Sequence, residues 1–184
     1  MKKIFSYIAL AIAIVSCAPK TEPYEDAFGK IENVAQIGTV EYTITKLIIA
    51  NDEAFYKFGD RKTIFSCKVI AKAGIDMKDF SMEDVDVNKE KMSITVTLPY
   101  PKVLSFNMPA EEVKCEYSKV SGLRTTFNTE ERNDLLRQGE RAIHKNLDKL
   151  GILKDAKENA SMFFQTLLTH AGYKEVVVNF KEKK

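Results

Sequence analysis

The feature that most constrains the fold of this chain is a change of hydrophobic period near Gly122. Before it, apolar and polar residues alternate over short runs, which is the two-residue period of half-buried β-strands. After it, apolar residues recur every three or four positions, as in an amphipathic α-helix. Strands followed by helices indicate an α+β domain. We therefore predict a mainly antiparallel sheet with two C-terminal helices packed on it and a final strand.

The strand region divides at turns and prolines. Strands are predicted at 39–50, 62–73, 85–87, 92–98, 104–108 and 113–117. In the second of these, Phe65, Cys67, Val69 and Ala71 alternate with more polar residues, which predicts one well-buried face. Proline cannot donate to a sheet ladder, so Pro99 and Pro101 should separate two strands.

Two apolar stripes mark the helices. Asn128 and Glu131 resemble a capping box at the start of the first helix, and Gly151 and Gly172 fit the left-handed position that ends a helix. The first stripe comprises Leu136, Gly139, Ile143, Leu147 and Leu150, and the second comprises Leu153, Ala156, Ala160, Phe163, Leu167 and Ala171. A final strand follows at 174–180. Helices that lie on membranes usually carry several Lys or Arg. The second helix has only Lys157 between Asp155 and Gly172, which favours core packing.

The N-terminus carries the most specific signal in the sequence. Lys2 and Lys3 precede an apolar stretch of about 12 residues, which as a helix spans roughly 18 Å of a roughly 30 Å hydrocarbon core. The following Ile-Val-Ser-Cys, at 14–17, resembles the lipobox of bacterial lipoproteins. There the small Ser16 admits the signal peptidase and the Cys17 thiol receives the lipid. A plain secretory signal or an uncleaved anchor remains the alternative.

The lipobox resemblance sets the expected organisation of the chain. Residues 1–16 are the signal peptide, cleaved between Ser16 and Cys17. Residues 17–30 are a tether, and 31–184 form one globular domain. Acyl chains on Cys17 would hold the protein in the cell membrane or the outer membrane, facing the periplasm.

The mature charge argues against a nucleic-acid partner. Removing Lys2 and Lys3 with the signal leaves 26 basic and 26 acidic side chains. Nucleic-acid binders show a basic excess or a basic run, and neither occurs here.

Two groups of residues outside the N-terminus are candidates for a site. Cys67 and Cys115 both fall on predicted apolar strand faces; they could form a disulfide, but we favour two buried free thiols. Phe55, Tyr56 and Phe58 form an aromatic cluster after the first strand. They could contact a partner or ligand, although we favour a hairpin tip that folds over the sheet edge.

No catalytic, metal or cofactor motif is found. HExxH, Cys-x-x-Cys and Gly-x-Ser-x-Gly are missing, so no cofactor, metal ligand or catalytic residue is predicted. The acidic stretch from Asp76 to Asp86 is interpreted as a solvated loop, since it does not match the ligand spacing of a calcium loop.

Three stretches resemble a family. They are Ala73-Gly74-Ile75-Asp76, the run Ile-Thr-Val-Thr-Leu-Pro-Tyr-Pro at 94–101, and the run Leu-Lys-Asp-Ala-Lys-Glu-Asn-Ala at 153–160 together with Ala171-Gly172-Tyr173. They resemble the uncharacterised bacterial family called domain of unknown function four-two-three-zero over roughly residues 39–180. Its members are commonly short proteins with a lipoprotein signal or an N-terminal anchor. Met77 and Lys78 depart from the family pattern, which has Leu and Ser there.

The resemblance implies no activity, cofactor or catalytic residue. Physically, Gly74 suggests a positive φ or a close backbone approach, and Asp76 should hydrogen-bond the backbone of its own turn. We expect a lipid-anchored envelope protein that acts as a non-enzymatic binding or assembly module, with an envelope protein or a small ligand as its partner. The alternative is a periplasmic hydrolase that uses carboxylates between Asp76 and Asp86 with a histidine supplied by the fold.

Overall fold

The computed structural model describes residues 35–52 and 58–183. Within them, seven strands and two α-helices are present. They are β1 (Gln36–Asp52), β2 (Arg61–Asp76), β3 (Val85–Asn88), β4 (Ser93–Leu98), β5 (Lys102–Asn107), β6 (Lys114–Val120), α1 (Thr129–Asn146), α2 (Ile152–His170) and β7 (Glu175–Phe180). The predicted α+β class is confirmed, including the C-terminal helices and the final strand.

The first sheet is organised around β2. One edge of β2 pairs antiparallel with β1 over its whole length, while its other edge pairs with β6 along the first half and with β5 along the second. Because neighbours cover both edges and helices cover one face, every second residue from Phe65 to Ala73 is buried. The predicted buried face of this strand is confirmed.

The second sheet has the order β3-β4-β7. A hairpin joins β3 to β4 in antiparallel fashion, whereas β7 runs parallel to β4. A parallel neighbour requires a long crossover, which β5, β6 and both helices supply. The inward residues Ile94, Val96 and Leu98 of β4 are buried.

The first helix begins as predicted and ends earlier. Asn128 Oδ1 accepts a hydrogen bond from Glu131 N at 2.9 Å, and Asn128 N donates to Glu131 Oε2 at 2.9 Å, so the capping box is confirmed. Ile143 is buried, but Leu150 is exposed, and its predicted place in the apolar stripe is wrong. The physical reason is that α1 stops at Asn146 and a separate 3₁₀ turn carries Leu150 away from the stripe.

The prediction that Phe163 lies in the buried stripe of the second helix is wrong. Phe163 is 47% exposed, whereas Phe164 is completely buried. The buried residues are Ile152, Leu153, Ala156, Ala160, Phe164 and Leu168. Each step of four residues turns the stripe by about 40° around the helix, so a stripe built from such steps winds. This winding follows the two sheets that α2 crosses.

The change of sheet along α2 is visible in its contacts. Its first turns, at Leu153 and Ala156, pack with Ala71 and Ala73 of the first sheet. Its later residues join the core over the second sheet. The helix ends as predicted: Gly172 has a φ of 104°, and Tyr173 N donates to Leu168 O at 3.2 Å. α2 therefore packs on both sheets and joins them.

Candidate functional site

An open cleft of about 520 Å³ lies where segments from both sheets and both helices meet. Its lining comprises Asp79, residues 99–103, His144, Leu153 and residues 181–183. Two of the family-like stretches supply lining residues, the second through Pro99, Tyr100 and Pro101 and the third through Leu153. The first is linked to the cleft through Asp76, which pairs with the lining residue Lys102.

Tyr100 is the best-defined side chain of the cleft. Both flanking residues, Pro99 and Pro101, are buried, so the backbone that carries the ring is fixed by rigid neighbours. The Nζ atoms of Lys157 and Lys183 lie 6.0 and 5.9 Å from the ring centroid, within the range of cation–π attraction. The ring of Tyr100 thus has two ammonium groups nearby.

Lys183 and Lys157 each make a second contact besides the one with the Tyr100 ring. Lys183 Nζ lies 2.6 Å from Asp148 Oδ2, and this carboxylate raises the pKa of Lys183. Lys157 Nζ also lies 5.1 Å from the centre of the Phe180 ring. Lys183 therefore lines the cleft itself, whereas Lys157 approaches the Tyr100 ring from the side of Phe180.

Asp76, at the end of β2, links this strand to the segment that lines the cleft. Asp76 is buried, and its Oδ2 lies 2.8 Å from Lys102 Nζ at the start of β5. Its Oδ1 accepts from Lys78 N at 3.1 Å, which confirms the predicted bond to its own turn. Lys102, together with the Lys78 amide, lowers the pKa of Asp76. This pair ties the segment 99–103 to β2.

Gly74, near the end of β2, lets the backbone of this strand approach β1 closely. A Cβ at this position would lie 2.0 Å from the carbonyl oxygen of Ile37 in β1. Of the two predicted explanations for this glycine, the close backbone approach is confirmed, and the positive φ is wrong.

The acidic stretch from Asp76 to Asp86 forms ion pairs at the rim of the cleft. Lys181 Nζ lies 2.8 Å from Asp84 Oδ2 and donates to Asp79 O at 2.8 Å. Burial alone would raise the pKa of Asp84, but hydrogen bonds from Lys181 and Ser81 outweigh it and lower the pKa. A carboxyl that acts as a general acid near neutral pH needs a raised pKa. Asp76 and Asp84 are shifted in the opposite direction.

His144 is the histidine that the fold brings to this cleft. Its ring packs edge-on against Phe106, with the ring centroids 5.1 Å apart. It shares the cleft lining with Asp79.

The two predicted cysteine positions differ in burial. Cys67 is buried, its Sγ donates to Lys46 O at 3.4 Å, and burial raises its pKa. Cys115 is exposed, so its predicted position on an apolar face is wrong. The physical reason is that β6 pairs with β2 alone among the described strands and is exposed along nearly its whole length. Both thiols are free, and in the strand pairing Cys115 lies opposite Phe65.

Several other predicted residues fall outside the described structure. Ser16, Cys17, Phe55 and Tyr56 lie outside residues 35–52 and 58–183. Phe58 is exposed, and its carbonyl oxygen accepts from Leu123 N at 3.3 Å.

Among residues 35–52 and 58–183, no group of three or more His, Cys, Asp or Glu could hold a metal ion. No helix in this part of the chain is long and apolar enough to cross a membrane.

Sequence reasoning missed the residues that define the cleft. In the sequence, the prolines on either side of Tyr100 indicate a break between strands, but two prolines also hold the tyrosine between them in a fixed position. For His144, Lys157 and Lys183, no local signal exists. Their positions depend on how both helices and the chain end return to the segment 99–103.

Comparison with known proteins identifies the family of this chain, but it assigns no activity. No curated protein and no solved structure matches the chain. The profile of one family, described as protein of unknown function (DUF4230), matches residues 29–178. This range runs from before β1 into β7 and includes all of the family-like stretches. The chain therefore belongs to the DUF4230 family.

Proposed function

We propose that this chain is a lipid-anchored protein of the cell envelope whose domain binds a partner non-covalently in the cleft around Tyr100. The observation that carries the proposal is the ring of Tyr100, fixed between two buried prolines and flanked by Lys157 and Lys183. An oriented aromatic ring with charges at its sides is a typical means of holding a ligand.

The anchor rests on the sequence Ile-Val-Ser-Cys at 14–17, which follows a short apolar stretch. Each buried methylene of an acyl chain contributes about 0.8 kcal/mol of membrane binding, so two or three chains hold a protein almost irreversibly. The domain would then face the periplasm from the cell membrane or the outer membrane.

The chemistry of the cleft indicates the kind of partner. Leu153 and Val103 supply apolar surface, while lysines and the carboxylates of Asp79 and Glu182 supply charges of both signs. The partner is an envelope protein segment or a small ligand that combines an apolar part with charged groups. The balanced mature charge gives no reason to expect a nucleic acid.

The carboxylates favour binding over hydrolysis. Asp76 and Asp84 are each paired with a lysine, and both pKa values are lowered. Such groups stay ionised at neutral pH and cannot donate a proton to a leaving group. A non-enzymatic role is therefore the function that this geometry supports best.

Photo-crosslinking in living cells tests the proposal. A photoreactive phenylalanine analogue replaces Tyr100 in one variant and Phe163 in a matched control, since Phe163 is an exposed aromatic residue about 15 Å further along α2 than Leu153. We expect an adduct at position 100 and none at position 163. A protein partner appears as a heavier band, and a small ligand appears as added mass on the peptide that contains residue 100. Equal adducts at both positions, or none, would contradict the proposal.

Substitutions of single lysines test whether the charges beside Tyr100 contribute to binding. Lys183→Ala, which removes one cation from the Tyr100 ring, should reduce the adduct at position 100. Lys154→Ala is the control, because this exposed lysine pairs with Glu158 on α2. If both variants give the same adduct as the wild type, the lysine does not contribute to binding.

A further inference from the structure

We propose that the outer face of the first sheet, the face away from the helices, lies on the surface of a bilayer that contains anionic phospholipids. This contact would fix the orientation of the domain beside its membrane. The inference rests on the proposed lipid anchor, which brings the domain to a membrane, and it adds which face the domain turns toward the lipid.

The register of the strands defines the outer face. In β2, Cys67 and Val69 pack with Ile143 of α1, so every second side chain of this strand faces the helices. The intervening side chains of β2 face the opposite way. Their cross-strand partners in β1 and β6 share that face, because opposite residues in an antiparallel pair lie on the same side.

An apolar row crosses the middle of the outer face. Ile49 of β1 lies opposite Ile64 of β2, which lies opposite Tyr117 of β6. Ile49 is 59% exposed, and Tyr117 and the neighbouring Leu47 are also exposed. Exposed apolar surface in a contiguous patch is typical of an interaction site.

Two lysines lie directly opposite each other on one side of this row. Lys62 of β2 is paired with Lys119 of β6. Like charges at opposite positions destabilise a sheet. Within residues 35–52 and 58–183, neither lysine forms an ion pair that would offset this repulsion. An anion outside the protein would compensate both charges.

Two further lysines lie on the other side of the row. Lys114 of β6 is opposite Ser66 of β2, which places it diagonally across from Lys68. The carboxylate on this part of the face belongs to Glu116, which accepts a hydrogen bond from Ser66 Oγ. Lys68 and Lys114 form no ion pair with the described residues. The face is therefore apolar in the centre and positive on both sides.

A bilayer surface matches both properties of this face. From Lys62 to Lys68 the outer face is about 20 Å long, since a strand rises about 3.4 Å per residue. Anionic headgroups attract lysines, while the apolar region beneath them accepts aliphatic and aromatic side chains. A nucleic acid would use the lysines but would leave the row of Ile49, Ile64 and Tyr117 uncovered by apolar groups.

The end of the same sheet also exposes apolar side chains. Phe58 and Leu123 lie just beyond the pair of Lys62 and Lys119, and both side chains are largely exposed. Leu123 N donates to Phe58 O at 3.3 Å, which holds the two residues next to each other. Aromatic and aliphatic side chains beside lysines are typical of contacts with a membrane interface.

The chain length before β1 keeps the domain close to the anchor. The 18 residues from Cys17 to residue 34 precede the first described residue. Even fully extended, they span at most about 60 Å. A domain confined to this distance from a bilayer meets it at high effective concentration, so a weakly binding face is sufficient.

Fluorescence of the full chain reconstituted in vesicles tests this orientation. All variants carry Cys115→Ser, and this parent without an introduced cysteine corrects for dye on other thiols. An environment-sensitive dye is attached to Ile49→Cys on the outer face or to Met162→Cys on α2. Met162 is a matched control, because it is 58% exposed and apolar. The vesicles contain phosphatidylcholine and phosphatidylglycerol, with brominated acyl chains that quench a dye touching the bilayer.

We expect the dye at position 49 to be quenched several-fold more strongly than the dye at position 162. Without phosphatidylglycerol, most of this difference should disappear, because the lysines then have no anionic lipid to bind. Equal quenching at the two positions, or quenching at position 49 that does not depend on phosphatidylglycerol, would overturn the proposal.

Paired lysine substitutions identify the charges responsible. Lys62→Gln with Lys119→Gln should lower the ratio of surface-bound to free domain about 30-fold, since each lysine near an anionic surface contributes about five-fold. Lys145→Gln with Lys154→Gln on the helices is the matched control and should change nothing. Full quenching in the Lys62 and Lys119 variant would count against the proposal.

The anchor and the face fail in distinguishable ways. Fatty-acid labelling reports the anchor, whereas the dye at position 49 reports the face. A chain that is labelled at Cys17 but leaves this dye unquenched would overturn the inference and leave the anchor in place. A dye at position 49 that responds to added DNA and not to phosphatidylglycerol vesicles would overturn it as well.

Discussion

Replacing Phe164 by alanine should destabilise the domain far more than replacing its neighbour Phe163. Phe164 is completely buried in the core between α2 and the second sheet, together with Val96 and Leu98. Removing a fully buried phenyl ring forfeits about 1.5–3 kcal/mol of transfer free energy. The cavity left behind brings the expected loss for Phe164→Ala to about 3–5 kcal/mol.

Phe163→Ala is the matched control for this substitution. The side chain of Phe163 is 47% exposed, and its ring contacts Phe164 edge-on at a centroid distance of 5.3 Å. Losing this aromatic pair and part of the burial should cost about 1 kcal/mol. The contrast between adjacent residues isolates burial, because the chemistry of the two substitutions is identical.

Urea unfolding of the chain from residue 31 onward measures both free energies. A total stability of 5–15 kcal/mol is typical of a domain, so the loss at Phe164 is large enough to shift the midpoint strongly. Equal losses for the two variants, or a larger loss for Phe163→Ala, would refute the winding stripe that we assign to α2.

Three other outcomes are expected. Lys102 lowers the pKa of Asp76 below its ordinary value of 3.8, so this carboxylate stabilises the fold above that pH and the stabilisation is lost as pH falls through the folded-state pKa. The free energy of unfolding should therefore fall less steeply between about pH 5 and pH 3 in Asp76→Asn than in the wild type, and equal slopes in urea titrations would contradict the ion pair. Gly74→Ala should cost about 1–3 kcal/mol in the same assay, because its Cβ would meet the Ile37 carbonyl oxygen at 2.0 Å, and an unchanged midpoint would argue against that close approach. A chain beginning at residue 31 should still show a cooperative thermal transition, whereas a gradual loss of signal would place the domain boundary elsewhere.

Local patterns predicted the parts of the fold that local interactions determine. The alternation from Phe65 to Ala71 reflects a strand with one face in the core, and the pair Asn128 and Glu131 satisfies amides within a single turn. The identity of the buried phenylalanine was not a local property. Phe163 and Phe164 lie about 100° apart around α2, and which of them is buried depends on the sheet that the helix faces at that point. The sequence does not show that the helix crosses from one sheet to the other.

The cleft was beyond sequence reasoning for a related reason. Tyr100 and Lys183 are far apart in the chain and meet because β7 runs parallel to β4, which brings the chain end back to the segment 99–103. A parallel pairing of the last strand leaves no periodic signal that distinguishes it from an antiparallel one. Asp76 was identified from its motif, but its lysine partner depends on β5 pairing with β2.

Lipid attachment at Cys17 is the central claim of the proposed function, and metabolic labelling with a fatty-acid analogue tests it most directly. Wild type, Cys17→Ala and Cys115→Ala are compared in cells grown with the analogue, the last as a control that removes a different, exposed thiol. We predict that the wild type and Cys115→Ala are labelled equally and that Cys17→Ala is unlabelled and released from the membrane fraction. Equal labelling of all three, or a wild type that carries no label, would contradict the lipid anchor.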